Sequence, residues 1–187
     1  MRRREQILEQ VILVDTQDNE VGVRGKLQAH RRGELHRAFS VFVLNADGEL
    51  LLQRRAEGKY HTAGLWSNTC DGHPRPGETV LHAAQRRLAE EMGIACPLVA
   101  RAAFPYRAEL GGGLVEHEID HLFIGRYDGE PRPDPEEVSE WGWVGGEALA
   151  EAIAAHSERY APWFRIALDI VSYDAIAAWA RALDPEA

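Results

Sequence analysis

The sequence predicts a mixed β-sheet sandwiched between helices, an α/β or α+β fold built as one domain over residues 1–187. Three observations lead there. Short β-rich runs alternate with two helical segments. Glycine-bearing turns join two pairs of those runs as hairpins. A chain of 187 residues, 45% hydrophobic and 27% charged, is long enough for one real core.

Taken in order, QVILVDT (Gln10 to Thr16) reads as a strand, and so do FSVFVLN and ELLLQRR, joined through ADG with glycine at the turn. TVLHAAQRRLAEEMG has apolar residues at helical spacing and a glycine stop at Gly93. AAFPYRA and VEHEIDHLFIGRY make a second strand pair around ELGGG, and SEWGWV is a further strand. APWFRIALDIVSYDAIAAWARAL reads as one long amphipathic helix. The linker-like stretch DGEPRPDPEE is too short to separate domains, and no internal repeat or low-complexity segment occurs.

A net charge of −9 argues against nucleic-acid binding, so an anionic substrate needs a local cluster of Arg and Lys inside a cleft. Two cysteines, Cys70 and Cys96, are too few for a disulfide framework. The start MRRREQILEQVILVD lacks the apolar run of a signal peptide. No uncharged apolar stretch reaches the roughly 18 residues of a membrane span. The expectation is a cytoplasmic protein, monomeric or weakly homo-oligomeric, whose partner is a small molecule and neither nucleic acid nor membrane.

The chemistry concentrates in Gly72 to Ile94, GHPRPGETVLHAAQRRLAEEMGI. A glycine, a glutamate six positions on, and a helix ending Glu90-Glu91-Met92-Gly93-Ile94 have the spacing of the Nudix box. In that box a glycine-rich loop feeds a helix whose carboxylates, here Glu90 and Glu91, hold Mg²⁺ against a diphosphate, because hard cations prefer oxygen ligands. Where the family's pattern has Arg-Glu, this chain has Arg86-Arg87. A carboxylate is thereby missing and a cation replaces it, which weakens multi-metal binding, strengthens the hold on a diphosphate and points away from Nudix hydrolysis. A second constellation is His30, His36 and His73 with Glu116 and Glu118, two apart on a strand and so on one face. Three imidazoles with two carboxylates suit a divalent metal in an approximately octahedral site. The other histidines, His61, His82, His117, His121 and His156, read as surface or turn residues.

The stretches KLQAH, LHRAFSVFVLN, LLLQRRAEGKYHTAGLWSNTC, GHPRPGE, RRLAEEMGI, PYRA, VEHEID and APWF run in order from Lys26 to Phe164. With them the chain resembles the type I isopentenyl-diphosphate isomerases, Nudix-fold enzymes that interconvert isopentenyl and dimethylallyl diphosphates. The resemblance implies a first metal site of His30, His36, His73, Glu116 and Glu118 for Mn²⁺, Mg²⁺ or Zn²⁺. It implies a Mg²⁺ on Glu91 that also touches the substrate diphosphate, and diphosphate-binding cations Lys26, Arg55, Lys59 and Arg87. Trp163 matches the aromatic wall that faces a developing carbocation. Tyr106 matches the tyrosine that supports the acid/base glutamate, Glu118.

One position departs from that pattern. The catalytic cysteine of the family directly precedes the Gly/Ser-His-Pro, where this chain has Asp71, with Cys70 one residue earlier. In an extended segment adjacent side chains point to opposite sides, which puts Cys70 out of the pocket. Ordinary pKa values of about 8.5 for Cys and 3.9 for Asp make a protonated Asp the stronger acid, though only about one in 10³ unshifted molecules carries the proton at pH 7. Three readings follow. Asp71 replaces the thiol in a working isomerase; or the chain is a relative repurposed for protonation-initiated cyclisation of a longer prenyl diphosphate; or it is an engineered or inactive diphosphate-binding form in which Asp71 is an Asx-turn residue before Gly72.

Overall fold

The structure, a computed structural model, describes residues 9–59 and 61–183. β1 (Gln10–Val14) and β2 (Glu20–Gly25) lead through helix α1 (Lys26–Arg32) into β3 (His36–Leu44) and β4 (Leu50–Arg55). Two short strands, β5 (Trp66–Ser67) and β6 (Cys70–Gly72), precede helix α2 (Val80–Met92). The hairpin β7 (Leu98–Gly111) and β8 (Leu114–Arg126) follows, then β9 (Val138–Val144). Helices α3 (Gly146–Ala155), α4 (Pro162–Val171) and α5 (Tyr173–Arg181) end the described chain. These strands share one mixed sheet.

β3 organises it. It pairs antiparallel with β1, β4 and β6 and parallel with β8, which sets His36 beside Glu118 across a long stretch of sequence. Every β3 residue except Arg37 is buried, so both faces of the strand are covered. Phe39, Val41 and Val43 pack on Ala83, Ala84, Leu88 and Met92 of α2. Phe42 and Leu44 pack the other way, among Trp163 and Phe164 of α4 and Ile176 of α5. The two-residue period of a strand produces the two layers, and the sandwich expected from the sequence is the observed one.

Helix α2 starts at Thr79, whose Oγ1 accepts from the His82 amide at 3.2 Å, and stops at Gly93 with φ 64°. A Cβ at Gly93 would collide with the Arg132 carbonyl, so glycine serves both the left-handed stop and a close approach. The linker-like stretch is that neighbour. The Arg132 and Asp134 amides each donate at 2.9 Å, to the carbonyls of Met92 and Glu91, so the segment caps α2 and runs back across it.

Two expectations change. The single C-terminal helix is two, broken at Ser172 (φ 64°, ψ 149°), whose Oγ accepts from the Ala175 amide. The break lets α4 bury Trp163, Phe164 and Ala167 and lets α5 bury Ile176, Ala177 and Ala180, which one straight rod over the curved sheet does not. The strand expected over Gln10 to Thr16 ends at Val14, where the Asp15 carboxylate accepts from the Gln17 and Asn19 amides and turns the chain into β2. Among the described residues no helix is long and apolar enough to cross a membrane.

Candidate active site

Strand alternation and register build the site. On β8, Glu116, Glu118 and Asp120 share a face, and all three are buried. Tyr106 of β7 stands opposite Glu118, His36 of β3 beside it, and Ser40 of β3 opposite Asp71 of β6. Helix α1 adds Lys26 and His30 one turn apart, and α2 adds Arg87 and Glu91 in the same spacing. Of these, Lys26, Ser40, Asp71, Arg87, Glu91, Tyr106, Glu116 and Glu118 line one cleft with Arg55, Lys59, His61, His73 and Trp163, while His30, His36 and Asp120 are buried behind its wall.

Four of the five predicted metal ligands converge. One donor atom each from His30, His36, His73 and Glu118 lies within 4.8 Å of the others. Glu118 Oε1 is 3.2 Å from His36 Nε2 and 2.9 Å from His73 Nε2. His36 Nδ1 donates to the Glu34 carbonyl at 2.8 Å and His30 Nδ1 to the Lys26 carbonyl at 2.7 Å. Those carbonyls only accept, so each ring carries a proton on Nδ1 and leaves Nε2 facing inward. His30 Nε2 is buried with no hydrogen-bond partner. Burial, then the neighbouring His73 and His36, holds the His30 imidazole down at about 3, and burial against the pull of Glu118 holds His73 at about 4. The imidazoles of His30, His36 and His73 gathered around one buried carboxylate are a donor set that fits a divalent cation.

Glu116, the fifth predicted ligand, groups instead with His30 and His61. Tyr106 OH donates to Glu118 Oε2 at 2.6 Å and reaches Glu116 Oε2 at 3.1 Å. Burial and the Glu118 charge push the Glu116 carboxyl well up. Burial raises Glu118 too, but His73 and His36 outweigh it and hold that carboxyl well below its ordinary value.

The four predicted cations line the cleft, each beside a carboxylate. Lys26 Nζ is 3.2 Å from Glu9, Arg55 Nη1 is 3.5 Å from Asp71 Oδ2, and Lys59 contacts Glu137 and lies 3.9 Å from Glu91. Arg87 binds Glu91, with Glu90 at 2.8 Å and Glu137 at 3.5 Å. The sequence assigned Mg²⁺ to Glu90 and Glu91 together, but only Glu91 faces the cleft, because consecutive residues on a helix point about 100° apart. Gln53 Nε2 donates to Glu91 Oε2 at 3.0 Å.

Asp71 turns into the cleft with Oδ1 buried and without a hydrogen-bond partner. Burial raises its carboxyl above the ordinary value against the opposing pull of Arg55. Cys70 is fully buried on the other side of the strand, in the core under α2, and burial pushes its thiol well up. Trp163 Nε1 donates to Ser67 Oγ at 3.0 Å, and the Arg55 guanidinium sits 5.1 Å over its ring.

Several site residues had no sequence signal. His61, read as a surface or turn residue, lines the cleft with its ring 6.0 Å from those of His30 and Trp163. His82 and His156 are exposed, while His117 and His121 bond the Gly33 carbonyl and Asp18 away from the cleft. Glu9 and Glu137 neutralise cations from distant segments. Asp120, which accepts from Ser40 Oγ at 2.8 Å and is pushed up to about 8 by burial, completes the carboxylate row two residues beyond Glu118.

Comparison with known proteins places this architecture. The NUDIX domain model matches residues 34–164. Isopentenyl-diphosphate Delta-isomerase 2 of Aromatoleum aromaticum is 52% identical over 163 residues, covering 87% of this chain and 86% of that one. The chain belongs to the NUDIX isopentenyl-diphosphate Delta-isomerase family. A second family member, from Serratia proteamaculans, is 45% identical over 173 residues, covering 92% and 97% of the two chains. Among solved structures, a Deinococcus radiodurans protein superposes with a TM-score of 0.67 at 25% identity, over 79% of this chain and 90% of that one. For a member of this isomerase family, the buried Cys70 has a direct consequence. Cys70→Ser should lower stability by about 1–3 kcal/mol, the cost of burying an unpaired hydroxyl, and leave turnover unchanged. A urea melt and an activity assay check it, and lost turnover in a folded variant would return Cys70 to the chemistry.

Proposed function

We propose that this chain is a metal-dependent isomerase that converts isopentenyl to dimethylallyl diphosphate, with Asp71 in the place of the family's catalytic cysteine. The observation that carries the reading is the orientation of β6: Asp71 faces the cleft containing Glu118, Tyr106 and Trp163, while Cys70 is sealed in the core. Lys26, Arg55, Lys59 and Arg87 hold the diphosphate, which takes over from the carboxylates now beside them. The alkene accepts a proton at its terminal carbon, and positive charge develops on the tertiary carbon against the Trp163 ring. A proton then leaves the carbon next to it, so the proton count is unchanged over the cycle. Asp71 and Glu118 are the two proton-transfer groups on opposite sides of the substrate, and the Tyr106 hydroxyl orients Glu118.

His30, His36, His73 and Glu118, with Glu116 at the edge of the group, would hold one divalent metal, Mn²⁺, Mg²⁺ or Zn²⁺, and Glu91 a Mg²⁺ beside the diphosphate. When bound, these cations supply positive charge that fixes the carboxylates and offsets the substrate's anionic end. Protein purified without chelator should contain about one tightly held divalent metal per chain by elemental analysis, and none in a His36→Ala variant. Equal metal content in the two would remove the centre from these residues.

The test of the activity is incubation with isopentenyl diphosphate and Mg²⁺ in D₂O, with products read by mass spectrometry and NMR. Dimethylallyl diphosphate carrying deuterium is the expected product. Turnover of geranyl or farnesyl diphosphate to a cyclic product, with isopentenyl diphosphate untouched, would overturn the isomerase reading in favour of a cyclase.

A further inference from the structure

The loop segment 61–65 brings a histidine to the edge of the predicted metal centre. One ring nitrogen of His61, one of His30 and a Glu116 carboxylate oxygen lie within 4.8 Å of one another. His30 belongs to this trio and to the four-donor group, and its Nδ1 is taken by the Lys26 carbonyl. Only Nε2 remains to bind a cation, and one lone pair serves one ion. The two groups therefore describe one centre and not two.

We infer that His61 is a further ligand of that metal, which gives the centre six side-chain donors: His30, His36, His61, His73, Glu116 and Glu118. This deepens the function proposed above and rests on it. Ring spacing is consistent with a shared ion. With metal–nitrogen bonds of about 2.0–2.1 Å, two imidazoles on one ion have centroids no more than about 6.5 Å apart. His30 lies 4.9 Å from His36, 5.5 Å from His73 and 6.0 Å from His61. The His61 Nδ1 is 3.0 Å from Thr62 Oγ1, an outer contact of the kind that fixes a ligating ring.

Two consequences follow from the position of the loop. Lys59, one of the proposed diphosphate cations, lies two residues before His61, so ligation ties the substrate pocket to the metal. Six protein donors would also suit an ion that prefers octahedral coordination, and one bound there would hold Glu118 in place.

Co²⁺ titration of chelator-stripped protein tests this in the wild type and in His61→Ala, His61→Cys and His36→Ala. His61→Ala should still bind one Co²⁺, with affinity lowered on the order of 10–100-fold and a more intense visible absorption as the coordination number falls. His61→Cys should add a sulfur-to-Co²⁺ charge-transfer band in the near ultraviolet, a readout that a packing role against Trp163 does not produce. His36→Ala should lose the metal. If His61→Ala matches the wild type and His61→Cys shows no new band while His36→Ala loses the ion, His61 is a wall residue and only this inference fails. If His36→Ala also binds as the wild type does, the centre itself is misplaced, and the inference falls with it.

Discussion

Asp71→Asn should lower turnover by about 10²–10⁴-fold, the usual contribution of a positioned acid or base, and leave metal uptake and diphosphate binding at wild-type levels. The amide keeps the shape of the side chain and its oxygen still faces the Arg55 guanidinium, 3.5 Å away in the parent. What it lacks is a proton to give or a charge to receive one. Cys70 cannot compensate, because β6 turns it into the core under α2. Asp71→Cys should then recover or raise isopentenyl-diphosphate isomerisation, since it puts a thiol, the group the proposed function expects there, on the cleft side of the same strand. Product formation is measured by NMR and ligand binding by calorimetry. Full activity in Asp71→Asn would reduce Asp71 to a turn residue before Gly72.

Arg87→Glu should weaken prenyl-diphosphate binding by on the order of 2–5 kcal/mol, the range for removing one partner of a buried charge pair. The parent guanidinium contacts Glu90, Glu91 and Glu137, with only 17% of its side chain exposed. The variant leaves Lys59 facing Glu91, Glu137 and a new carboxylate, so like charges crowd a space from which water is largely excluded. The melting temperature should drop in metal-free buffer and recover as Mg²⁺ is added, because the extra carboxylate is a hard-oxygen ligand. Arg87→Gln separates the two effects: it loses the diphosphate contact without adding repulsion. Unchanged affinity for dimethylallyl diphosphate in both variants would place Arg87 outside the substrate site.

Much of the catalytic cleft was legible because its residues sit in short, regular segments. The box from Gly72 to Ile94 carries its own loop, cap and stop, and the strand period of two places Glu116 and Glu118 on one side. The same period separates Cys70 from Asp71. The charges that neutralise the cleft were not legible. Glu9 lies 17 residues from Lys26, and Glu137 lies 78 residues from Lys59; no local pattern couples either pair. His61 was missed for a similar reason: a histidine in an irregular loop has no periodicity to reveal which way it turns.

What the sequence by itself determined are the strands, the central helix, and the identity and order of the groups proposed to bind metal, hold diphosphate and move protons. These follow from backbone periodicity and side-chain chemistry, which act over a few residues. The tertiary structure decided which of those groups meet. The parallel pairing of β3 with β8 brings His36 to Glu118, and the return of segment 128–137 across α2 brings Glu137 to Arg87. Likewise the break at Ser172 seats two short helices where the sequence reads as one. Each is a long-range choice made by burying apolar surface on both faces of one sheet, and the gain is realised only when the whole chain closes around it.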